Sequence, residues 1–480
     1  MIEFITCRWQ RYRGVLIVAL LVAIAILLGY LAAKNVLYSL LLALLVLGCI
    51  ALVYIFFKDG RLSLDRIVIP LLIVAVLLPP IRLSDKLPAV RLELVIIVIA
   101  WALFVLGQLA AGKPLRLRWN PINKWFFLFG ACILASIAYA ALVMGSYPIA
   151  RDFWEFVKLI EYFLIFALVA SLDIPPEHMR KYYIITLIVF LCSAAFGFAQ
   201  FFNLFDINSW LTPYYADPDK YGTFTGYWFL GTSGNPNEFG ALMFLPASLA
   251  LTGALWLKGR GIKLFSWAAL GIFLLALMFN RSRAAAVGVI AAAAYIIFFK
   301  SFVLFGSGRT IRMLLWAVPL LLILGLCLFQ VAPDFFSVRI PTALDLSDDT
   351  SWQNRLVKWE SEVDIWKQSP LLGWGPAKET LTTVTDNEWL LFLKRYGVLG
   401  VLVFILWFAS IYRTLSQIGC ATKNDYTEIF CTALQATLIA YAIYMIPSNV
   451  YHSLHLMPIL LIFLGLAYTQ RQPTKMVRQS

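Results

Sequence analysis

The chain has 480 residues, 61% of them hydrophobic and 14% charged, with a mean hydropathy of +0.82. Soluble domains carry about 25% charged residues, so this composition excludes a soluble globular protein and indicates an all-α polytopic membrane protein. A net charge of +13 raises the question of nucleic acid, which the placement of the basic residues answers in the negative.

A membrane-spanning helix needs roughly 20 apolar residues. About fourteen such runs can be marked, near 14–33, 36–57, 67–80, 91–111, 124–144, 153–171, 182–202, 236–257, 264–280, 284–300, 313–331, 388–412, 430–447 and 450–469. The whole of 1–480 then reads as a single integral membrane domain. The first run is too long for a signal-peptide core and reads as an uncleaved anchor. Arg8, Arg11 and Arg13 precede it, and Lys113, Arg116, Arg118 and Lys124 lie between the fourth and fifth runs. Lys258, Arg260 and Lys263 follow the eighth, and Lys300, Arg309 and Arg312 the tenth. With the N-terminus inside, all these clusters are cytoplasmic, as the positive-inside rule requires. Both termini are then cytoplasmic, and the basicity is topology, with no nucleic-acid partner.

Two loops on the outer side are long. Residues 203–235 are rich in Trp, Tyr, Gly and Pro, and 332–388 is the one long polar stretch. Within the latter, Trp352, Leu356, Trp359, Val363 and Trp366 recur at helical spacing, predicting an amphipathic helix over 352–368. Gly373-Trp374-Gly375-Pro376 predicts the turn that ends it. The seven cysteines fall in spans or on the inner side, so no disulfide is expected. No P-loop, dinucleotide fingerprint or His/Cys zinc spacing occurs, and no internal repeat.

Candidate chemistry clusters at the outer helix ends. Arg281 and Arg283 flank Ser282 in a tight outer turn, against the positive-inside bias. Their planar donor forks match phosphate oxygens, and the small residues after Arg283 would let a ligand approach. The alternative is a pair of arginines snorkelling to headgroups. Arg355 is either a solvated helix residue or a third cation closing over the same anion. Asp386, Asn387 and Glu388 open the twelfth run. Acidic and capping residues suit a helix N-terminus, but one of the carboxylates is also placed to accept a proton from a sugar hydroxyl, with Asn387 orienting substrate. Lys394 and Arg395 follow about two turns deeper and either pair with acidic groups or reach a phosphate.

The sixth run carries Arg151, Glu155, Lys158 and Glu161. Spacings of three favour mutual neutralisation of Glu155, Lys158 and Glu161, and Arg151 at the outer end is a candidate anion contact. Asp217-Pro218-Asp219 spells a glycosyltransferase-like metal motif but reads first as a turn. His452 and His455, three apart on one face, are a poor metal site and read as packed or headgroup-facing.

Four motifs together resemble the bacterial O-antigen ligase and polymerase superfamily, the Wzy-type proteins. They are Asn235-Pro236-Asn237-Glu238-Phe239-Gly240, Ser282-Arg283-Ala284, Arg355-x3-Trp359 leading to Pro370-Leu371-Leu372-Gly373-Trp374-Gly375, and Asp386-Asn387-Glu388-Trp389-Leu390 followed by Tyr396-Gly397-Val398-Leu399-Gly400. The resemblance implies a GT-C-like membrane glycosyltransferase in the bacterial cytoplasmic membrane, working on its outer, periplasmic face. Its substrates would be undecaprenyl-diphosphate-linked glycans, donor and acceptor, with no metal and no nucleotide cofactor. A chain-length regulator and a flippase would be its partners in lipopolysaccharide or polysaccharide biosynthesis.

Carried over, Arg283 and Arg355 are functional arginines. With the reading of the residues themselves, Asp386, Glu388 and Arg283 are the catalytic candidates, and Arg281, Arg355, Asn387, Asn235, Asn237, Arg151 and Lys220 are substrate contacts. Ligases of this family typically have His before the position of Asn387. Here Asp386 stands, which favours a polymerase. Lys220 is the nearest basic group to Gly222-Thr223-Phe224, where the family often has arginine. A ligase acting on lipid A core or protein is the alternative, and a secondary transporter or a structural subunit of an export assembly comes behind it.

Overall fold

A computed structural model describes residues 64–78, 91–110, 112, 120–210, 229–280, 282–301, 350–381 and 386–471. The runs at 14–33, 36–57 and 313–331, Asp217-Pro218-Asp219, Lys220 and Arg281 lie outside the described residues. Everything regular that is described is helical. The main helices are α1 (Leu64–Leu77), α2 (Leu92–Ala110), α3 (Asn123–Leu142), α4 (Trp154–Ser171), α5 (His178–Phe201), α6 (Pro236–Leu242) and α7 (Phe244–Trp256). They continue as α8 (Arg260–Asn280), α9 (Arg283–Ala294), α10 (Thr350–Gln368), α11 (Glu388–Ala421), α12 (Asp425–Tyr444) and α13 (Leu456–Thr469).

Eight candidate spans occur among the described residues, with α6 and α7 counted as one and α9 extended by a π-helical turn to Ser301. The chain is therefore an all-α protein with multiple membrane-spanning helices. The apolar runs at 67–80 and 450–469 yield 14-residue helices, α1 and α13, too short to be counted. The run at 153–171 yields the 18-residue α4, whose Glu155, Lys158 and Glu161 set it apart from the others.

The described residues fall into two compact units. The first draws on Met1–Trp119, Leu164–Phe239 and Pro458–Ser480. In it Tyr182 on α5 donates to the buried Asp65 of α1 at 3.1 Å, and Gly465 on α13 sits so close to Val169 of α4 that a Cβ would lie 2.8 Å from it. The second draws on Asn120–Phe163 and Gly240–Met457. Its centre is α7, buried along its whole length up to Leu255. Helix α9 packs there through Ala285, Gly288 and Ala292, its buried residues. A Cβ at Gly288 would come within 2.4 Å of the Phe244 ring. Part of the small-residue run after Arg283, expected to admit a ligand, is therefore used for helix packing.

Helix α11 is broken. Gly397 has φ 63° and ψ −168°, a conformation essentially confined to glycine, so the helix stops and restarts there. The break frees the carbonyls of Lys394 and Arg395, which would otherwise be unpaired. They accept from the N–H groups of Trp374 and Gly375, each at 2.8 Å, while Val398 donates to Pro370 O at 2.9 Å. Ser136 of α3 joins this seam, donating to Arg395 O and accepting from Gly375 N at 2.9 Å. The Pro370–Gly375 turn and the Tyr396–Gly400 stretch, two separate motifs in the sequence, are thus one structural device. It fixes Arg395 just before the break.

Candidate functional site

The site lies in the second unit, around the first turn of α11. Asn387 caps that helix, its side chain accepting from Leu390 N at 3.0 Å, in the geometry that favours Asn at this position. Asp386 stands just before the cap with its side chain about half exposed, and Arg355 Nε lies 3.7 Å from its Oδ2. Arg355 also donates to Pro447 O at 3.4 Å. Two residues singled out in the sequence, 31 positions apart, therefore meet at the mouth of α11.

Arg355 is carried by α10, whose span of Thr350–Gln368 agrees with the predicted amphipathic helix. Leu356, on the apolar face that the sequence sets on the membrane surface or the outer helix ends, is 42% exposed, whereas Glu362 is buried. Glu362 meets Lys394 of α11 at 2.5 Å, both side chains 2% exposed. An ion pair thus anchors α10. Trp374 reinforces it by donating from Nε1 to Ile365 O at 3.2 Å.

Glu388 differs sharply from Asp386. It is fully buried, its carboxylate accepting from Tyr451 N at 2.7 Å, from Val450 N, and contacting His452 Nδ1, while its own N–H donates to Met445 O at 2.9 Å. All this ties the start of α11 to the 445–452 turn. A carboxylate so engaged orients its neighbours.

His452 continues to a second buried carboxylate, Glu155 at the start of α4, at 3.1 Å. Around Glu155 also stand Lys378 at 2.9 Å, Arg395 at 3.3 Å and Lys158 at 3.9 Å. The expected Glu155–Lys158 pairing is present, but it is the longest of the four contacts. Lys378 is fixed by its backbone N–H to Asp152 Oδ1 at 2.9 Å and by its Nζ to Arg151 O at 3.0 Å. Arg151 contributes that carbonyl, and its side chain is exposed. Edge-on aromatic rings brace the floor, with Phe129 at 5.6 Å from Phe392 and Tyr396 and 5.5 Å from Tyr451.

Arg283 is exposed at the N-terminus of α9, where Ser282 caps the helix by accepting from Ala285 N at 3.3 Å. Asn235 and Asn237 belong to the first unit. There the Asn235 side chain accepts from Asn237 N at 2.9 Å, capping α6. No group of three or more His, Cys, Asp or Glu side chains among the described residues is arranged to hold a metal ion.

Residues 268–405 match a family model described as O-antigen ligase. That match supports the resemblance to the O-antigen ligase and polymerase superfamily over this part of the chain. No curated protein matches it. The O-antigen ligase domain runs from within α8 into α11 and contains Arg283, Arg355, Asp386 and Arg395. Glu155 and His452, the acidic hub and the histidine bridging it to Glu388, lie outside it in sequence. Members of this family are glycosyltransferase-like enzymes acting on lipid-linked glycans in a membrane. The sequence did not single out Lys378, and it read His452 as packed or headgroup-facing. The run of charges in the sixth apolar stretch, and the reading of Arg395 as a partner of acidic groups, were the signals of the hub.

Proposed function

We propose that this protein is a polymerase that joins undecaprenyl-diphosphate-linked oligosaccharide repeat units on the outer face of the bacterial cytoplasmic membrane, without a metal. The observation that carries this reading is the Arg355–Asp386 pair at the capped mouth of α11. It sets a half-exposed carboxylate beside a fixed guanidinium, at the position where ligases of the family typically have His.

In the reaction, a hydroxyl oxygen of the acceptor repeat unit bonds to the anomeric carbon of the donor glycan. The bond from that carbon to the diphosphate oxygen breaks, and the lipid diphosphate departs with the electron pair. Asp386 takes the hydroxyl proton. Arg355, with Arg283 and Arg281, balances the charge building on the leaving phosphates, the task preorganised donors perform best. The burial of Glu388 supports a structural role, so we assign the base to Asp386 and the holding of the turn to Glu388. Asn387 places Asp386. The exposed Arg151 side chain, Asn235, Asn237 and Lys220 are the remaining proposed substrate contacts.

Incubating the purified protein with a lipid-linked repeat unit tests this. A ladder of products is expected, and Arg283→Ala should abolish it while membrane insertion is retained. A single product with no ladder contradicts the polymerase. The second reading, a ligase, is favoured by the description of the matched family. It would instead shift the mass of a lipid A core or protein acceptor while leaving glycan length unchanged.

A further inference from the structure

We propose that Lys158, Lys378 and Arg395 form a second diphosphate subsite, which holds the lipid diphosphate of the acceptor repeat unit. The inference rests on the polymerase reading in one respect: both substrates of a polymerase carry a diphosphate, so two anion subsites are needed and only one leaving group departs.

The pairing of the cations is the first argument. Lys158, Lys378 and Arg395 gather on Glu155, while Glu388 accepts from two backbone N–H groups and contacts His452. Asp152 is close by, but its carboxylate is occupied by the backbone N–H groups of Ile149 and Lys378, each at 2.9 Å. Among the described residues only the Glu155 carboxylate pairs with the side chains of these three cations, so each keeps donor capacity that an anion's oxygens can take up.

The second argument is the direction in which the cluster opens. The Glu155 side chain is 3% exposed, whereas those of Lys158, Lys378 and Arg395 are 19%, 26% and 14% exposed. The carboxylate lies beneath and orients the cations, and the cations reach the surface. Arg395 Nε is buried with no acceptor among the described residues, so this guanidinium has donor capacity to spare. A fork plus two point charges suits an anion with several oxygens more than a single carboxylate does.

Position completes the case. Glu388, which touches His452 of the cluster, is two residues from Asp386, and Arg355 donates to Pro447 in the turn that leads to His452. The cluster and the Arg355–Asp386 pair therefore flank the same helix turn. A hydroxyl anchored through the one and an anomeric carbon anchored through the other would meet near Asp386. No charge develops on the acceptor phosphates during transfer, so cations already partly neutralised by Glu155 can hold them.

The test is the binding stoichiometry of undecaprenyl diphosphate to the full chain in nanodiscs, with inorganic pyrophosphate and undecaprenol as competing probes. Two molecules per protein are expected, falling to one in the Lys158→Ala/Lys378→Ala double variant. The Lys158→Arg/Lys378→Arg variant should retain two, which separates loss of charge from misfolding. Pyrophosphate should displace the second molecule and undecaprenol should not. Weakening of that subsite by about ten- to a hundredfold is expected for each cation lost.

Unchanged stoichiometry in the alanine variant overturns the proposal. So does a site that takes pyrophosphate but never the lipid diphosphate. A missing ladder in the wild type would sink the polymerase reading independently, since the stoichiometry does not depend on turnover.

Discussion

Asp386 and Glu388 are both carboxylates at one helix start, and their surroundings are opposite. Asp386 is half exposed beside Arg355, and Glu388 is sealed among backbone N–H groups and His452. Replacing Glu388 with Ala leaves those buried donors unpaired, at a cost of about 3–5 kcal/mol. Thermal unfolding in detergent should show a large loss of stability in Glu388→Ala and little change in Asp386→Asn. Arg355 belongs to the same scale. A lysine there keeps the charge but loses the fork, so Arg355→Lys should retain only a minor fraction of activity, and Arg355→Ala should lose about 10²–10³ in rate. Initial rates of product formation at equal membrane content would check both.

At the scale of elements, the break in α11 and the turn docked on it define where Arg395 and α10 sit. A Cβ on Gly397 would fall 2.2 Å from Leu371 O. Gly397→Ala should therefore expel the Pro370–Gly375 turn, at a cost of at least about 1–3 kcal/mol from the backbone conformation alone. Faster proteolysis within 370–376 would be its sign, and an unchanged cleavage rate would refute the docking. The buried Glu362–Lys394 pair anchors α10, and with it Arg355. Either single substitution to Ala should be strongly destabilising, while replacing both with apolar residues of similar size should recover much of the loss. A double-mutant cycle on thermal stability would measure that coupling.

At the scale of the molecule, hydropathy made the helices legible because a span must be long and apolar. The same criterion leaves uncounted α1 and α13, which are short, and α4, which is charged. The predicted bounds of α10 and the capping by Asn387 were also readable, from spacing and from local side-chain chemistry. The hub at Glu155 was not. It joins α4, the loop after α10, α11 and the turn before α13, and no local pattern encodes contacts more than 200 residues apart. Nor did periodicity reveal that a glutamate, Glu362, takes the buried place on α10.

The central claim is that Asp386, set beside Arg355, accepts the proton when a glycan leaves its lipid diphosphate. Its most direct test is the rate at which purified Asp386→Asn extends a lipid-linked repeat unit, compared with wild type in the same membranes. The account predicts a loss of about 10²–10⁴, the usual contribution of a general base. A ladder formed at the wild-type rate would contradict it.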